Sequence, residues 1–309
     1  MSIIQPSRVI VALGCLTLSL SLWAGPSHLA TTGEASITTN VTQAATHITQ
    51  PQFKGVWAQG SVLIGQTKPH DQIQFLGRDI TISKEGFFVI GLGRDFPASA
   101  QITVSREGHS AAFDFDVQQR SYKIQRIEGV PNRTVNPDPS HLTRIRKESA
   151  AARSARKAIT DYQYYRQAFQ WPLRGPITGV YGSQRYYNGQ PRRPHFGVDV
   201  AAPTGTVVRA PADGTTSLAY DDMFFSGGTL ILDHGHGLSS SFLHLSKILV
   251  TEGETVKQGQ PIAEVGATGR VTGPHLDWRM NWYDQRVDPQ TIVPSMADAM
   301  KDSEDGAGS

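Results

Sequence analysis

Four side chains in two short stretches have the types and spacing to hold a metal ion. "PHFGVDV" places His195, Gly197 and Asp199 at alternate positions, and "TGPHLDWRMNW" places His275 and Asp277 likewise. On an extended strand alternate side chains share a face, so each stretch presents one imidazole and one carboxylate together, while Leu276 turns into the core. A helix would also align His195 with Asp199, but Pro194, Gly197 and Val198 favour an extended segment, with Gly197 leaving space between the donors. If the two strands are neighbours, two histidines and two carboxylates surround one point, and both donor types are ordinary for zinc. A third stretch, "DHGHGLSSSFLHLS", carries His244 in an alternating pattern, with Phe242 and His244 on one face and Leu243 and Leu245 on the other. His234 and His236 sit in a glycine-punctuated turn, where they either face water or fold inward to complete a metal shell. Ser239 to Ser241 have no partners in a triad pattern, which excludes a serine hydrolase.

Elements must position these residues, and the texture of the chain divides it. The 309 residues suffice for two compact domains. Residues 1–24 have the form of a secretory signal peptide: Arg8, the apolar run Val9 to Trp23, then small residues around Ala24. The run is short for a membrane span of about 20 residues, which weighs against an uncleaved anchor and for no permanent span after cleavage. It also continues well past Cys15, against lipid attachment there. Cleavage near Ala24 removes the single cysteine, so an exported mature protein in the periplasm or cell envelope relies on its core rather than on disulfides. The net charge of +2, or +1 without Arg8, carries no basic stripe and excludes nucleic-acid binding.

Residues 25–50 are rich in Thr, Ser, Ala and Gly and read as a flexible linker. Over 51–130 the pairs Val62/Ile64, Ile73/Phe75, Ile80/Ile82 and Ile102/Val104 alternate with polar neighbours, the pattern of a small antiparallel β-sandwich. Gly65, Thr67, Pro69, Ile73 and Gly77 give this accessory domain a resemblance to bacterial immunoglobulin-like envelope modules. A basic linker helix is expected within 136–168, with Asp138 as cap, Pro139 at its first position and Leu142, Ile145, Ala152, Ile159 and Tyr162 along one face. A β-rich unit then occupies 170–294, followed by a polar tail over 295–309 that reads as loose.

Residues 171–290 closely resemble the LytM/lysostaphin-type zinc metallopeptidases, family M23. The matching motifs are H-x-G-x-D at His195 to Asp199, "GGTLILDHGHGLSSSFLHLS", the Val250 to Gln260 segment and "GATGRVTGPHL" at Gly266 to Leu276. The resemblance implies a mainly β chain with an antiparallel C-terminal peptidase domain, one zinc ion per catalytic domain, and peptidoglycan peptides as substrate. It implies His195 and Asp199 as metal ligands, and His244 and His275 as catalytic residues that help activate water. Arg185 and Tyr187, near the segment leading to the first ligand, are candidate substrate contacts. One position departs: the family has a second histidine in H-x-H where this chain has Asp277. Asp277 is expected to ligate the metal through one oxygen, and the set His, Asp, Asp then cancels the ion's charge, making it a weaker Lewis acid. The alternative is a degenerate, noncatalytic domain that binds cell wall or acts through an envelope or division partner such as an amidase.

Overall fold

The computed structural model describes residues 48–128 and 138–305. The expected signal peptide and nearly all of the linker before residue 51 lie outside the described residues. The chain is mainly β. The described residues form one compact unit.

Period-two patterning becomes sheet at Val62/Ile64, Ile73/Phe75 and Ile102/Val104, whereas Arg78–Ile80 ends before Ile82. Gln72–Phe75 and Ser99–Arg106 alternate exposed and buried along their length, and Ile73, Phe75, Ile102 and Val104 are all buried. These strands belong to an antiparallel four-stranded sheet ordered Arg78–Ile80, Gln72–Phe75, Ser99–Arg106, His109–Asp116. A three-stranded sheet, Gln52–Lys54, Val62–Gln66 and Phe87–Gly91, contributes Val62, Leu63, Phe88 and Ile90 to the same core. That core continues without a break into the C-terminal half. Phe75 lies 5.8 Å from Trp282 between ring centres, the Asp288 amide donates to the Gly60 carbonyl at 2.7 Å, and Arg120 pairs with Asp288 at 2.9 Å.

The C-terminal half is built on a large antiparallel sheet. Its strands run Thr255–Val256, Gly214–Met223, Gly227–Gly235, Leu238–Leu245, His275–Trp282, Val198–Ala201 and Ile177–Gly179, with Gln285–Val287 also pairing to His275–Trp282. Leu276, Trp278, Met280 and Trp282 turn to the apolar side and are essentially fully buried. Trp278 and Trp282 are therefore core residues.

Asp138 caps the expected helical region, accepting a hydrogen bond from the Ser140 amide at 2.8 Å, and Pro139–His141 form a single turn of 3-10 helix. The α-helix covers Leu142–Ala155 only. The β-branched residues Ile159 and Thr160 are poor continuations, so Ile159 and Tyr162 fall beyond it and Ile159 is exposed. The helix rests on the sheet through Ala151, Ala152 and Ala155 against Leu218, Met223 and Ile231, rather than through the larger residues of the predicted stripe. Its one buried residue is Glu148, which accepts from Arg144 at 2.6 Å and from the Phe224 amide at 2.8 Å. Within the stretch read as a loose tail, Met296–Asp305 are helical. Ser295 and Asp298 form the reciprocal cap: the hydroxyl donates to the carboxylate at 2.6 Å and accepts from the Asp298 amide at 3.2 Å.

His234 is fully buried on the apolar side and settles the turn between two long strands. Its Nδ1 donates to the Asp213 carbonyl at 2.8 Å, which leaves Nε2 to accept from the Ser240 hydroxyl at 2.8 Å. Burial pushes its pKa down to about 4. An unfolded chain would protonate this residue near 6.5. Between those values the unfolded state holds the extra proton, so the stabilisation is complete above pH 6.5 and is lost as pH falls towards 4. The expected loss is roughly 3 kcal/mol. Urea unfolding of wild type and His234→Gln across this window tests it: the variant should be less stable at pH 7 yet show a shallower acid decline, and parallel declines would contradict the assignment.

Candidate metal centre

Strand register brings the two halves of the donor set together. Asp199 lies directly opposite Asp277, and Ala201 opposite His275. His195 precedes its strand, and its ring returns to place Nε2 3.2 Å from Asp199 Oδ1. One ligand atom from each of His195, Asp199 and Asp277 falls within 4.8 Å of the others. His195 Nε2 and Asp199 Oδ1 are both buried without a hydrogen-bond partner. Two such atoms facing each other at ion-pair distance, without hydrogen-bond alignment, are an expensive arrangement unless a cation satisfies both. The donor set therefore fits a metal ion.

Two further histidines face this cluster through Nε2. His275 Nε2 is 3.9 Å from Asp199 Oδ1, His244 Nε2 is 3.9 Å from Asp277 Oδ2, and their rings lie 5.0 Å apart. Each Nδ1 contacts a backbone carbonyl, Thr268 for His244 and Gly273 for His275, both at 2.9 Å. A carbonyl only accepts, so both Nδ1 atoms carry the proton and both Nε2 atoms present lone pairs to the cluster. Burial lowers the His244 pKa, so this ring stays neutral further into acid than an ordinary histidine.

His244 arrives there by a device that strict alternation does not foresee. Leu243, not His244, is the cross-strand partner of Asp277. Pairing with the other neighbour jumps from Leu230↔Phe242 to Gly228↔Leu245, which leaves one extra residue, a β-bulge. His244 takes φ +65° within it, and its amide donates to the Ser226 carbonyl at 2.8 Å. The bulge turns the imidazole away from the face of Phe242, which is buried in the core, and towards the cluster.

Arg279 joins the centre although it is no metal donor. Alternation along His275–Trp282 puts Arg279 on the face of His275 and Asp277, and its guanidinium closes on the carboxylate. Nε donates to Asp277 Oδ1 at 2.9 Å and Oδ2 at 3.0 Å, and Nη2 also donates to Oδ2. Burial would raise the Asp277 pKa, but the Arg279 charge overrides it and holds the carboxyl below its usual range. Conversely burial would weaken the guanidinium's hold on its proton, and Asp277 strengthens it. Each carboxylate oxygen has two lone pairs, so pairing with Arg279 leaves Asp277 able to face a metal.

His234 and His236 are not part of the centre. Both ring nitrogens of His234 are engaged elsewhere, and His236 packs on Tyr165 at 4.7 Å. Arg185 and Tyr187 lie on Gln184–Tyr187, which pairs in parallel with Ile124–Ile127 in a separate small sheet. Their side chains fall outside the described part of the structure.

The antiparallel sheet thus carries a partly buried His/Asp/Asp cluster able to hold a metal ion, flanked by two open imidazoles. Residues 193–289 match peptidase family M23, and the chain carries a domain of that family. Over 154 residues it is 36% identical to an uncharacterized metalloprotease of Haemophilus influenzae, covering 48% of this chain and 30% of that one. Over 95 residues it is 41% identical to the peptidoglycan DD-endopeptidase ShyB of Vibrio cholerae, covering 31% of this chain and 22% of the relative. A crystal structure from Pseudomonas aeruginosa described as an M23 peptidase superposes with a TM-score of 0.60 at 29% identity, covering 77% of this chain and 95% of that one. The chain thus spans less than a third of the length of these two curated relatives.

Proposed function

We propose that the protein is a metal-dependent endopeptidase that hydrolyses peptide cross-links of peptidoglycan, with one zinc ion held by His195, Asp199 and Asp277. The observation that carries this reading is the convergence of the orphaned His195 Nε2 and Asp199 Oδ1 with the Asp277 carboxylate, beside two imidazoles with free Nε2 lone pairs. When bound, a divalent ion supplies Lewis acidity, polarising a peptide carbonyl and making water a better nucleophile at neutral pH. Fixed by the Thr268 and Gly273 carbonyls, His244 and His275 point Nε2 at the reacting centre. One takes the proton from attacking water and passes it to the leaving amine, and the other, having taken a proton from solvent at Nε2, donates it in a hydrogen bond to the oxyanion of the tetrahedral intermediate.

The substrate class rests on the named peptidoglycan endopeptidases among the relatives; on this reading the protein acts outside the cytoplasm, with residues 1–24 as its signal peptide. No helix among the described residues is long and apolar enough to cross a membrane. On this reading residues 51–130 form an accessory domain, immunoglobulin-like in pattern, and Arg185 and Tyr187 contact substrate. The noncatalytic alternative is not favoured, because the whole set of donors and proton carriers converges on one point. The test is zinc content together with release of soluble peptides from purified peptidoglycan, for wild type and Asp199→Ala. Wild type should carry one zinc and release peptides, and the variant should do neither. Zinc-loaded wild type that releases nothing would overturn the reading.

A further inference from the structure

The charge of the centre raises a difficulty that the Asp277–Arg279 contact resolves. Two carboxylates and a neutral imidazole cancel the charge of a divalent ion, whereas two imidazoles and one carboxylate would leave one positive charge to polarise the substrate. Arg279 restores that charge. Its guanidinium engages both oxygens of Asp277 through three hydrogen bonds, and the Asp277 side chain is almost completely buried. No other carboxylate forms an ion pair with Arg279 among the described residues, and the other groups acting on Asp277 are the imidazoles of His195 and His244. Gly197 is built around the pair, since a Cβ there would strike Asp277 Oδ1 and the Arg279 stem.

We infer that Asp277 and Arg279 act as one charge-neutral donor unit, in which the carboxylate offers its remaining lone pair to the metal and the guanidinium both orients it and supplies the charge a neutral imidazole donor would leave. This rests on the metal-centre reading above. Arg279 is a positioning residue, and its consequence is a strict coupling between the two positions. A histidine at 277 is compatible with the metal only when Arg279 is removed, because otherwise a half-buried guanidinium is left beside a cation without its carboxylate. Removing Arg279 alone leaves a more negative donor set, which binds a cation no less tightly.

The experiment is zinc affinity, measured by competition with a chromogenic chelator, on the full chain as wild type, Arg279→Gln, Asp277→His and the double variant, each checked for folding by thermal melting. Asp277→His should weaken zinc binding by at least about ten-fold. The double variant should recover to within about three-fold of wild type, and Arg279→Gln alone should bind zinc at least as tightly as wild type while releasing peptide more slowly. Should Asp277→His fail to fold, the Arg279→Gln affinity decides, since a merely structural arginine would lose zinc along with stability. Equal affinities for wild type and Asp277→His, no recovery in the double variant, or weakened zinc binding in Arg279→Gln would overturn the inference while leaving the peptidase reading intact. Wild type that binds no zinc would overturn both.

Discussion

His244→Ala is expected to lower kcat/KM for peptide release by about 10²- to 10⁴-fold while zinc content stays at one per chain. The size follows from what the residue is positioned to do. A bulge and a left-handed backbone at φ +65° are costly for a non-glycine residue, and here they deliver one imidazole, Nε2 first, to the edge of the cluster. Thr268 fixes the tautomer by accepting from Nδ1, so the lone pair is available without rearrangement. Burial lowers the pKa of His244, and the sign matters: the neutral, proton-accepting form survives below the ordinary value near 6.5. Activity limited by this base should persist in mild acid and fall only at lower pH. His244→Gln separates the two roles open to the residue, because it retains a polar group but cannot carry a proton between water and amine. Loss of zinc in both variants would make His244 a ligand rather than a proton carrier.

That outcome also bears on how much of the site can be read from residues alone. The pair of half-sites is legible in part: alternation puts His275 beside Asp277 and the register Asp199↔Asp277 joins the strands, but His195 reaches Asp199 from ahead of its strand and not by alternation. His244 is not legible that way, because a bulge changes the phase of its strand and strict alternation sends it into the core with Phe242. Only resemblance to the family motif singled it out. Arg279 is the reverse case, since it stands two residues beyond Asp277 and alternation alone predicts its face. Its role is not legible from donor types, because an arginine has no lone pair to offer a metal and acts only through the carboxylate it holds. The helix ending at Ala155 and the helix over Met296–Asp305 have a common lesson. Caps such as Ser295 with Asp298 outweigh composition in short segments, whereas a scattered apolar stripe without them does not extend a helix.

Gly197→Ala should be as damaging as the loss of a ligand, for a reason that lies in packing rather than chemistry. Its backbone is not left-handed, so the demand for glycine comes from close approach. A Cβ would meet Asp277 Oδ1, the Arg279 stem and the Trp278 carbonyl oxygen at once. The last of these belongs to the backbone of a strand whose neighbouring Trp278 and Met280 side chains are fully buried, so it cannot retreat. Relief must come from the carboxylate and guanidinium, which breaks the buried pair or displaces it from Asp199. Overpacking of a dense interior costs about 1–3 kcal/mol, and disruption of a buried ion pair about 3–5 kcal/mol, so a loss of at least about 2 kcal/mol with loss of zinc is expected. Gly273→Ala supplies the control, since nothing lies within 4 Å of a Cβ there and its carbonyl can still accept from His275. Urea unfolding and zinc titration of the two variants should separate them clearly. If Gly197→Ala binds zinc and unfolds like Gly273→Ala, the tight seat assigned to Asp277 and Arg279 is wrong, and with it the reason for the glycine in H-x-G-x-D of this chain.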